Sequence, residues 1–367
     1  DESSCVRQAA AVKVDSAGRR LVQQVLGQRC LDNISDPHTI LTGPNRKPED
    51  GMIIASTPLR ISLFGGSTDT PAFIEKYGRG SVISFASNLR TYATISKDTF
   101  GFNSKDDKYI VNYSRREETE DVDDIQNELV RAVLARFPTE PITVSLTSDV
   151  FSHGSGLASS SSYIISLIKA VTAFNGQTMT DSEICSIAYE IELILNPYCG
   201  LQDPYGCGLG GFKRLDFRDG RKVSIEFLPI KLFQEYDCHL IFTGITRQSE
   251  GVLKDVSDNV DKALPILKLV DAAYQAMIED RFLDVLEFLN ESWDAKKKTS
   301  NLVASNSKIA DLDSLLARDD RVLAHKLCGA GNGGFFLCFT KKGTVDSQKL
   351  GSVKVTLSAE GIRGYVI

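Results

Sequence analysis

No stretch of the chain approaches the run of about 18 apolar residues that a membrane-crossing helix needs. The first residues also lack the apolar segment of a secretory leader, so the expectation is a cytoplasmic protein with no membrane partner. Histidine is scarce, with four in 367 residues. The eight cysteines (Cys5, Cys30, Cys185, Cys199, Cys207, Cys238, Cys328 and Cys338) are scattered, and no two make a C-x-x-C pair. That pattern argues against a structural zinc site and for reduced thiols. Strong positive charge is missing too: 48 acidic against 42 basic residues leave a net charge of −6, which argues against nucleic acid as the main partner. There is no G-x-x-x-x-G-K-[ST] loop, which disfavours P-loop chemistry. H-R-D and D-F-G are both missing, which removes the protein-kinase set.

The composition that is present, 42% hydrophobic and 25% charged, is that of an ordinary globular protein, and the length fits about two domains. Residues 1–51 read as an extension and linker, with a helix over Ala9–Gln28, a turn at Ser35-Asp36-Pro37 and turn chemistry from Gly43 to Gly51. The first firm strand signal is Met52–Ala55. Leu59, Ile61 and Leu63 then alternate with Arg60 and Ser62 into the Gly65-Gly66 turn. Short strands are predicted within 80–98 and 107–113, a helix over Asp124–Phe137, and a strand at Ile142–Leu146. Thr180-Asp181-Ser182-Glu183 is a capping box opening a helix that stops at Asn196-Pro197. A loop from Cys199 to Gly211 precedes a hairpin around Asp219-Gly220. A strand at Cys238–Phe242, a long helical region from about 247 to 298 and a helix near Ile309–Leu316 follow. Gly329–Gly334 then leads into the strand Phe335–Phe339. Strands and helices without regular alternation argue for an α+β fold.

Chemistry concentrates in Gly154-Ser155-Gly156-Leu157-Ala158-Ser159-Ser160-Ser161, which runs straight into a helical pattern. Small residues at a helix start let unpaired backbone N–H groups approach an anion, and the helix dipole favours it, so this stretch reads as a phosphate cradle. Two G-x-G-x-x-G matches, Gly206 to Gly211 and Gly329 to Gly334, lack the strand-turn-helix context of a dinucleotide site. Arg60 on its strand and Asp69 past the glycine turn converge on one place.

Three motifs in order over residues 52–340 resemble the GHMP kinase superfamily: Thr57–Asp69, Gly156–Ser161 and Gly329–Gly334. Within it, Phe64-Gly65-Gly66-Ser67-Thr68-Asp69, Gln202-Asp203 and Thr243–Arg247 most resemble the sugar kinases acting on D-glycero-D-manno-heptose 7-phosphate. Ser152-His153 stand where the family has prolines, and Ala158 stands for a middle glycine, a replacement that suits a negative φ.

The resemblance implies a two-domain fold: a ribosomal-S5-domain-2-like ATP-binding domain over 52–212 and a ferredoxin-like domain over 213–367. It implies transfer of the γ-phosphate of ATP to the anomeric hydroxyl of the heptose 7-phosphate, a small-molecule partner. Gly154, Ser155, Gly156, Leu157, Ala158, Ser159, Ser160 and Ser161 would hold the ATP phosphates, and Ser160 and Glu192 would hold Mg²⁺, with Glu190 as a rival. Asp203 would be the general base and Arg60 its cationic neighbour. Asp69, Gly66, Ser67 and Gly331 would meet the sugar. Arg247 would take the sugar's own phosphate, with Lys213, Arg214, Arg115 and Arg116 as rivals. A homodimer is an open option. The alternatives are a fucose- or octose-type sugar kinase, or a nucleotide- and sugar-binding sensor without turnover; against the sensor stands the joint retention of Arg60, Ser160, Glu192 and Asp203.

Overall fold

The computed structural model describes residues 41–42, 51–97, 108–150, 154–218, 222–246 and 250–366. The helix expected over Ala9–Gln28, the turn at 35–37, the linker at 43–50, Ser152-His153, the Asp219-Gly220 turn and Arg247 lie outside them.

The strands are β1 (Leu41–Thr42), β2 (Ile53–Phe64), β3 (Arg79–Ser96), β4 (Tyr109–Asn112), β5 (Arg116–Thr119), β6 (Thr143–Ser148), β7 (Phe212–Arg218), β8 (Lys222–Phe227), β9 (Tyr236–Phe242), β10 (Ala324–Leu327), β11 (Phe335–Lys341), β12 (Val353–Val355) and β13 (Arg363–Val366). The helices are α1 (Pro71–Tyr77), α2 (Glu128–Arg136), α3 (Ser159–Phe174), α4 (Asp181–Leu195), α5 (Gln202–Gly208), α6 (Lys231–Glu235), α7 (Glu250–Asp258), α8 (Leu264–Ile278), α9 (Phe282–Thr299), α10 (Ser307–Arg318) and α11 (Ser347–Leu350). The larger sheet has the order β1-β13-β2-β3-β6-β4-β5, with the β7–β8 hairpin joined to β3, and the smaller is β10-β11-β9-β12. A mixed larger sheet and an antiparallel smaller one, with segregated helices, make the α+β class expected from the sequence.

Several elements differ from their predicted bounds for identifiable reasons. The two strand pieces expected around 52–63 are one strand, β2, whose register against β3 shifts between Pro58 and Arg60. Proline cannot donate to a ladder, and the bulge absorbs it. The short strands expected at 80–98 are one 18-residue strand, β3. It is long because its first half pairs with β7 and its second with β6. The helix expected from Asp124 begins only at Glu128, capped by Asn127 accepting from the Val130 N–H. The long region from 247 is broken: Pro265 sits in the first turn of α8, where proline is tolerated, and Asp280 at φ 57° separates α8 from α9. The capping box of α4 is present in both directions, and α4 ends at Asn196 as expected.

Alternation along β11 divides the small sheet's two faces. Phe335, Leu337 and Phe339 pack with Leu240, Val270, Leu286 and Leu289, while Phe336 and Cys338 pack with Ile241, Trp293 and Ile309. Ile164, Ile168 and Val171 of α3 cover Ile53, Ala93 and Val144 of the large sheet. Cys185, Cys199, Cys207, Cys238, Cys328 and Cys338 are free thiols. Among the described residues no helix is long and apolar enough to cross a membrane.

One polar cluster ties α10 to its neighbours. Asp313 accepts from His325 Nε2 at 2.7 Å, Trp293 Nε1 at 2.8 Å and Lys297 Nζ at 3.0 Å. Burial opposes the Asp313 anion, but these bonds outweigh it and hold its carboxyl down at about 2. A depressed carboxyl contributes stability above its unfolded pKa and loses it as pH falls through the folded one, here from about 4 to about 2. Asp313→Ala should therefore cost about 2 kcal/mol at neutral pH, and urea unfolding should show that gap to wild type narrowing by pH 2.5. A gap independent of pH would count against the ion-pair account.

Candidate active site

Arg60 is the centre of the arrangement. Its side chain is 3% exposed. Nε and Nη2 both donate to Asp203 Oδ1, at 2.9 and 2.7 Å, and Nη1 donates to the Gly156 carbonyl at 2.7 Å. The bulge in β2 also turns the Arg60 main-chain N–H to the Leu157 carbonyl, at 3.2 Å, so one strand residue fixes both the glycine-serine loop and the carboxylate. Burial works against the Arg60 cation, yet the Asp203 carboxylate more than restores it and its pKa stays raised. Both Arg60 bonds fall on Oδ1. Oδ2 carries none among the described residues, and the side chain is 29% exposed.

Asp203 lies in the first turn of α5, although the Cys199–Gly211 stretch predicts a loop. Its glycines hide the helix from propensity, and a tertiary contact supplies what propensity lacks. Fully buried Lys213 of β7 donates through Nζ to the carbonyls of Gly206 at 3.1 Å, Gly210 at 3.3 Å and Gly211 at 3.5 Å, and to that of Leu209. It thus occupies the carbonyl end of α5. Burial pushes its ammonium down to about 7. Lys213 is therefore engaged as a cap. Arg214 is engaged too, bonding Asp216 and Asp271 and stacking over Tyr274. Arg115 and Arg116 are exposed on the β4–β5 hairpin, Arg116 with Glu118.

In the glycine-serine loop, φ is positive at every second residue: 69° at Gly154, 82° at Gly156 and 62° at Ala158. Alternating handedness turns successive N–H groups to one side, the form of an anion nest. Ala158 is the cap residue of α3 and makes no side-chain cap, so the first-turn N–H groups of α3 are left to a ligand. Gly334 lies so close to the loop that a Cβ there would meet the Ser155 carbonyl at 2.3 Å, and the third glycine motif thus backs the first.

The negative φ expected at Ala158 is corrected to 62°. A left-handed alanine costs roughly 1–2 kcal/mol, but its methyl is 8% exposed within the α3 core, which returns about 0.8 kcal/mol. Ala158→Gly should accordingly change stability by about 1 kcal/mol or less, while Ala158→Val should cost more than about 2 kcal/mol in denaturant unfolding. Equal effects would remove the strain account.

Glu192, near the end of α4, is buried, and Ser160 Oγ and Ser161 Oγ donate to its Oε1 at 3.1 and 2.5 Å. Burial first, then Asp203, raises its carboxyl to about 7. Its Oε2 is buried with no partner among the described residues. The rival Glu190 is exposed on the same helix.

Asp69 is buried in the turn after β2. Its Oδ1 accepts from the Ser67 N–H at 3.1 Å and its Oδ2 from the Gln202 N–H at 3.2 Å, which joins this turn to α5. Burial and then Asp203 raise its pKa, against the main-chain N–H groups of Gln202 and of Asp69 itself and against Lys296. Ser67 sits at φ 85° and accepts from Lys296 Nζ at 2.5 Å. Gly66 lines a recess of about 340 Å³, including open solvent, with Ser62, Gln202, Lys296 and Lys326. Gly331 does not line it; a Cβ there would meet the Val303 backbone at 2.8 Å. Lys296 lies in a run of three lysines in α9 and Lys326 lies between His325 and Leu327 in β10; nothing local pairs them, and only the fold brings them to one recess.

The sequence model described as the GHMP kinases N-terminal domain matches residues 125–211. A D-glycero-alpha-D-manno-heptose 7-phosphate kinase from Campylobacter jejuni is 31% identical over 336 residues, 86% of this chain and 95% of that protein. A mevalonate kinase from Thermococcus gammatolerans is 25% identical, over 77% of this chain and 87% of its own length. A crystal structure of a D-glycero-D-manno-heptose 1-phosphate kinase from Bacteroides thetaiotaomicron superposes with a TM-score of 0.66 at 20% identity, over 86% of this chain and 99% of that one, so it shares the fold. Nearly the whole length of a kinase related at 31% identity is spanned, and this chain belongs to the GHMP kinase family.

Proposed function

We propose that the enzyme transfers the γ-phosphate of ATP to the anomeric hydroxyl of D-glycero-D-manno-heptose 7-phosphate, giving the 1,7-bisphosphate. The acceptor is suggested by the named activity of the 31% identical relative. The transfer chemistry rests on one observation: Arg60 fixes Oδ1 of Asp203 and leaves Oδ2 for another partner.

In this reading the N–H groups of residues 154–161 hold the terminal phosphates. Asp203 Oδ2 accepts the proton of the sugar hydroxyl as its oxygen attacks the γ-phosphorus, and the bond to the β–γ bridging oxygen breaks to release ADP. Arg60 holds the carboxylate in place through its two bonds to Oδ1. Asp69 accepts bonds from sugar hydroxyls, in a turn held by Ser67 and Gln202.

Ser160 and Glu192 fit Mg²⁺. Hydroxyl and carboxylate oxygens are its hard donors, and the Oε2 of a carboxyl raised to about 7, buried and without a partner among the described residues, is in a setting that a cation stabilises. No cluster of three or more His, Cys, Asp or Glu suited to a metal occurs among the described residues. Mg²⁺ commonly takes one or two protein oxygens plus water and phosphate, so the pair suffices. Bound there, the ion would neutralise phosphate charge.

The test is ATP consumption with heptose 7-phosphate, heptose, galactose, fucose and mevalonate. The expected result is fastest turnover with heptose 7-phosphate and a new anomeric phosphate in the ³¹P spectrum. Preference for mevalonate, or no turnover with any acceptor, would sink the assignment.

A further inference from the structure

Two lysines from separate elements meet in the recess beside the Asp69 turn. Lys296 of α9 and Lys326 of β10 are each 7% exposed. Lys296 donates to Ser67 Oγ at 2.5 Å, and Lys326 donates to the Leu63 carbonyl at 2.7 Å. They are close enough to repel. Burial above all, with Lys296 and Arg60 adding to it, pushes the Lys326 ammonium down to about 8. The same recess holds two buried polar atoms without partners among the described residues, Ser62 Oγ and Gln202 Oε1, in side chains 3% and 8% exposed.

Burying ammonium groups side by side is costly, and so is leaving a buried hydroxyl and amide oxygen unbonded. A doubly charged anion offsets both costs, since charge-assisted bonds from lysine and hydroxyl are the stronger kind. Two carboxylates stand nearby. Asp203 is engaged by Arg60, and Asp69 already accepts from two main-chain N–H groups. The lining includes no residue of the 154–161 loop, so this recess is separate from the nest read as the nucleotide phosphate site.

We propose that Lys296, Lys326 and the Ser62 hydroxyl form the subsite for the phosphate monoester carried by the acceptor, with Gln202 Oε1 accepting from a hydroxyl of the same molecule. This rests on the sugar-phosphate kinase reading above. It moves the recognition of the acceptor's phosphate away from Arg247, the sequence's candidate, to a pair of buried lysines.

The experiment compares one sugar as its 7-phosphate and without it, in wild type, Lys296→Met, Lys326→Met, Lys326→Arg and Arg247→Ala. The readout is the ratio of kcat/KM for the two acceptors. Each methionine variant should lower that ratio by roughly 10- to 100-fold, as expected for a lost charge-assisted bond, and Lys326→Arg should recover part of it. In parallel, inorganic phosphate is titrated by calorimetry into enzyme saturated with a non-hydrolysable ATP analogue, which fills the 154–161 nest; wild type should bind and Lys326→Met should not. An unchanged ratio, a loss shared equally by both acceptors, a loss confined to KM for ATP, or a collapse produced only by Arg247→Ala would each overturn the proposal. If wild type phosphorylates neither acceptor, the kinase reading fails by itself, and the phosphate titration still decides the subsite.

Discussion

Asp203→Asn should lower kcat about a thousandfold and leave ATP affinity within about twofold of wild type, since general-base catalysis contributes roughly 10²–10⁴. In barrier terms this is about 4 kcal/mol. Asparagine keeps the shape, and its oxygen can still accept from Arg60, but it cannot take up a proton at the position of Oδ2. The Arg60 guanidinium would face a neutral partner while buried, so the fold should lose roughly 1–3 kcal/mol and remain folded. Single-turnover kinetics with a separate nucleotide-binding titration check both parts. Turnover near wild type would remove the base role. A matching loss of ATP affinity would instead place Asp203 in nucleotide binding.

Lys213→Met should be the most damaging change away from the reacting groups. It leaves the carbonyls of Gly206, Leu209, Gly210 and Gly211 without their shared donor. The Gly211 carbonyl keeps the Ala86 N–H at 3.0 Å, but the other three lose this donor; orphaned buried acceptors cost roughly 1–3 kcal/mol each, partly relieved by movement, so a loss of about 3 kcal/mol is expected in denaturant unfolding. Lys213 touches no reacting group; it is a positioning residue acting through α5. Gly206 lies against the Arg60 side chain, where an added Cβ would stand 3.1 Å from its Cβ. A displaced α5 therefore loosens the Asp203–Arg60 geometry, and kcat should fall by roughly 10- to 100-fold with KM for ATP nearly unchanged. Stability within about 1 kcal/mol of wild type would show that the cap matters little.

What the sequence discloses depends on where the determinants lie. The capping box of α4 and its end at Asn196 are local chemistry, readable from a few neighbours. The approach of Arg60 to Asp203 is legible through the family motifs, and the structure places them 2.7 Å apart. Glu192 is distinguished from Glu190 by burial, which helical phase limits to one of the two without naming which. By contrast, α5 forms on a glycine-rich segment because Lys213 caps it. Ala158 tolerates a left-handed backbone because its methyl is packed. Lys296 and Lys326 become a pair only through contacts between α9, β10 and the β2 turn. In each of these cases the deciding neighbour is remote in the chain or lies in the tertiary core, beyond any local periodicity.

The position of β13 carries a consequence for biosynthesis. Tyr365 pairs with Ile54, a separation of 311 residues (365 − 54), on the strand that also presents Arg60. While the chain is being made, that side of β2 waits as an open edge until the last pairing residues have emerged. An unpaired edge is a template for association with other chains. Closing so long a loop is also slow relative to local folding. The strand that presents Arg60 is thus completed only after the residues separating it from β13 have been made, and the growing chain is the stage at which this side of the sheet most needs protection from its neighbours.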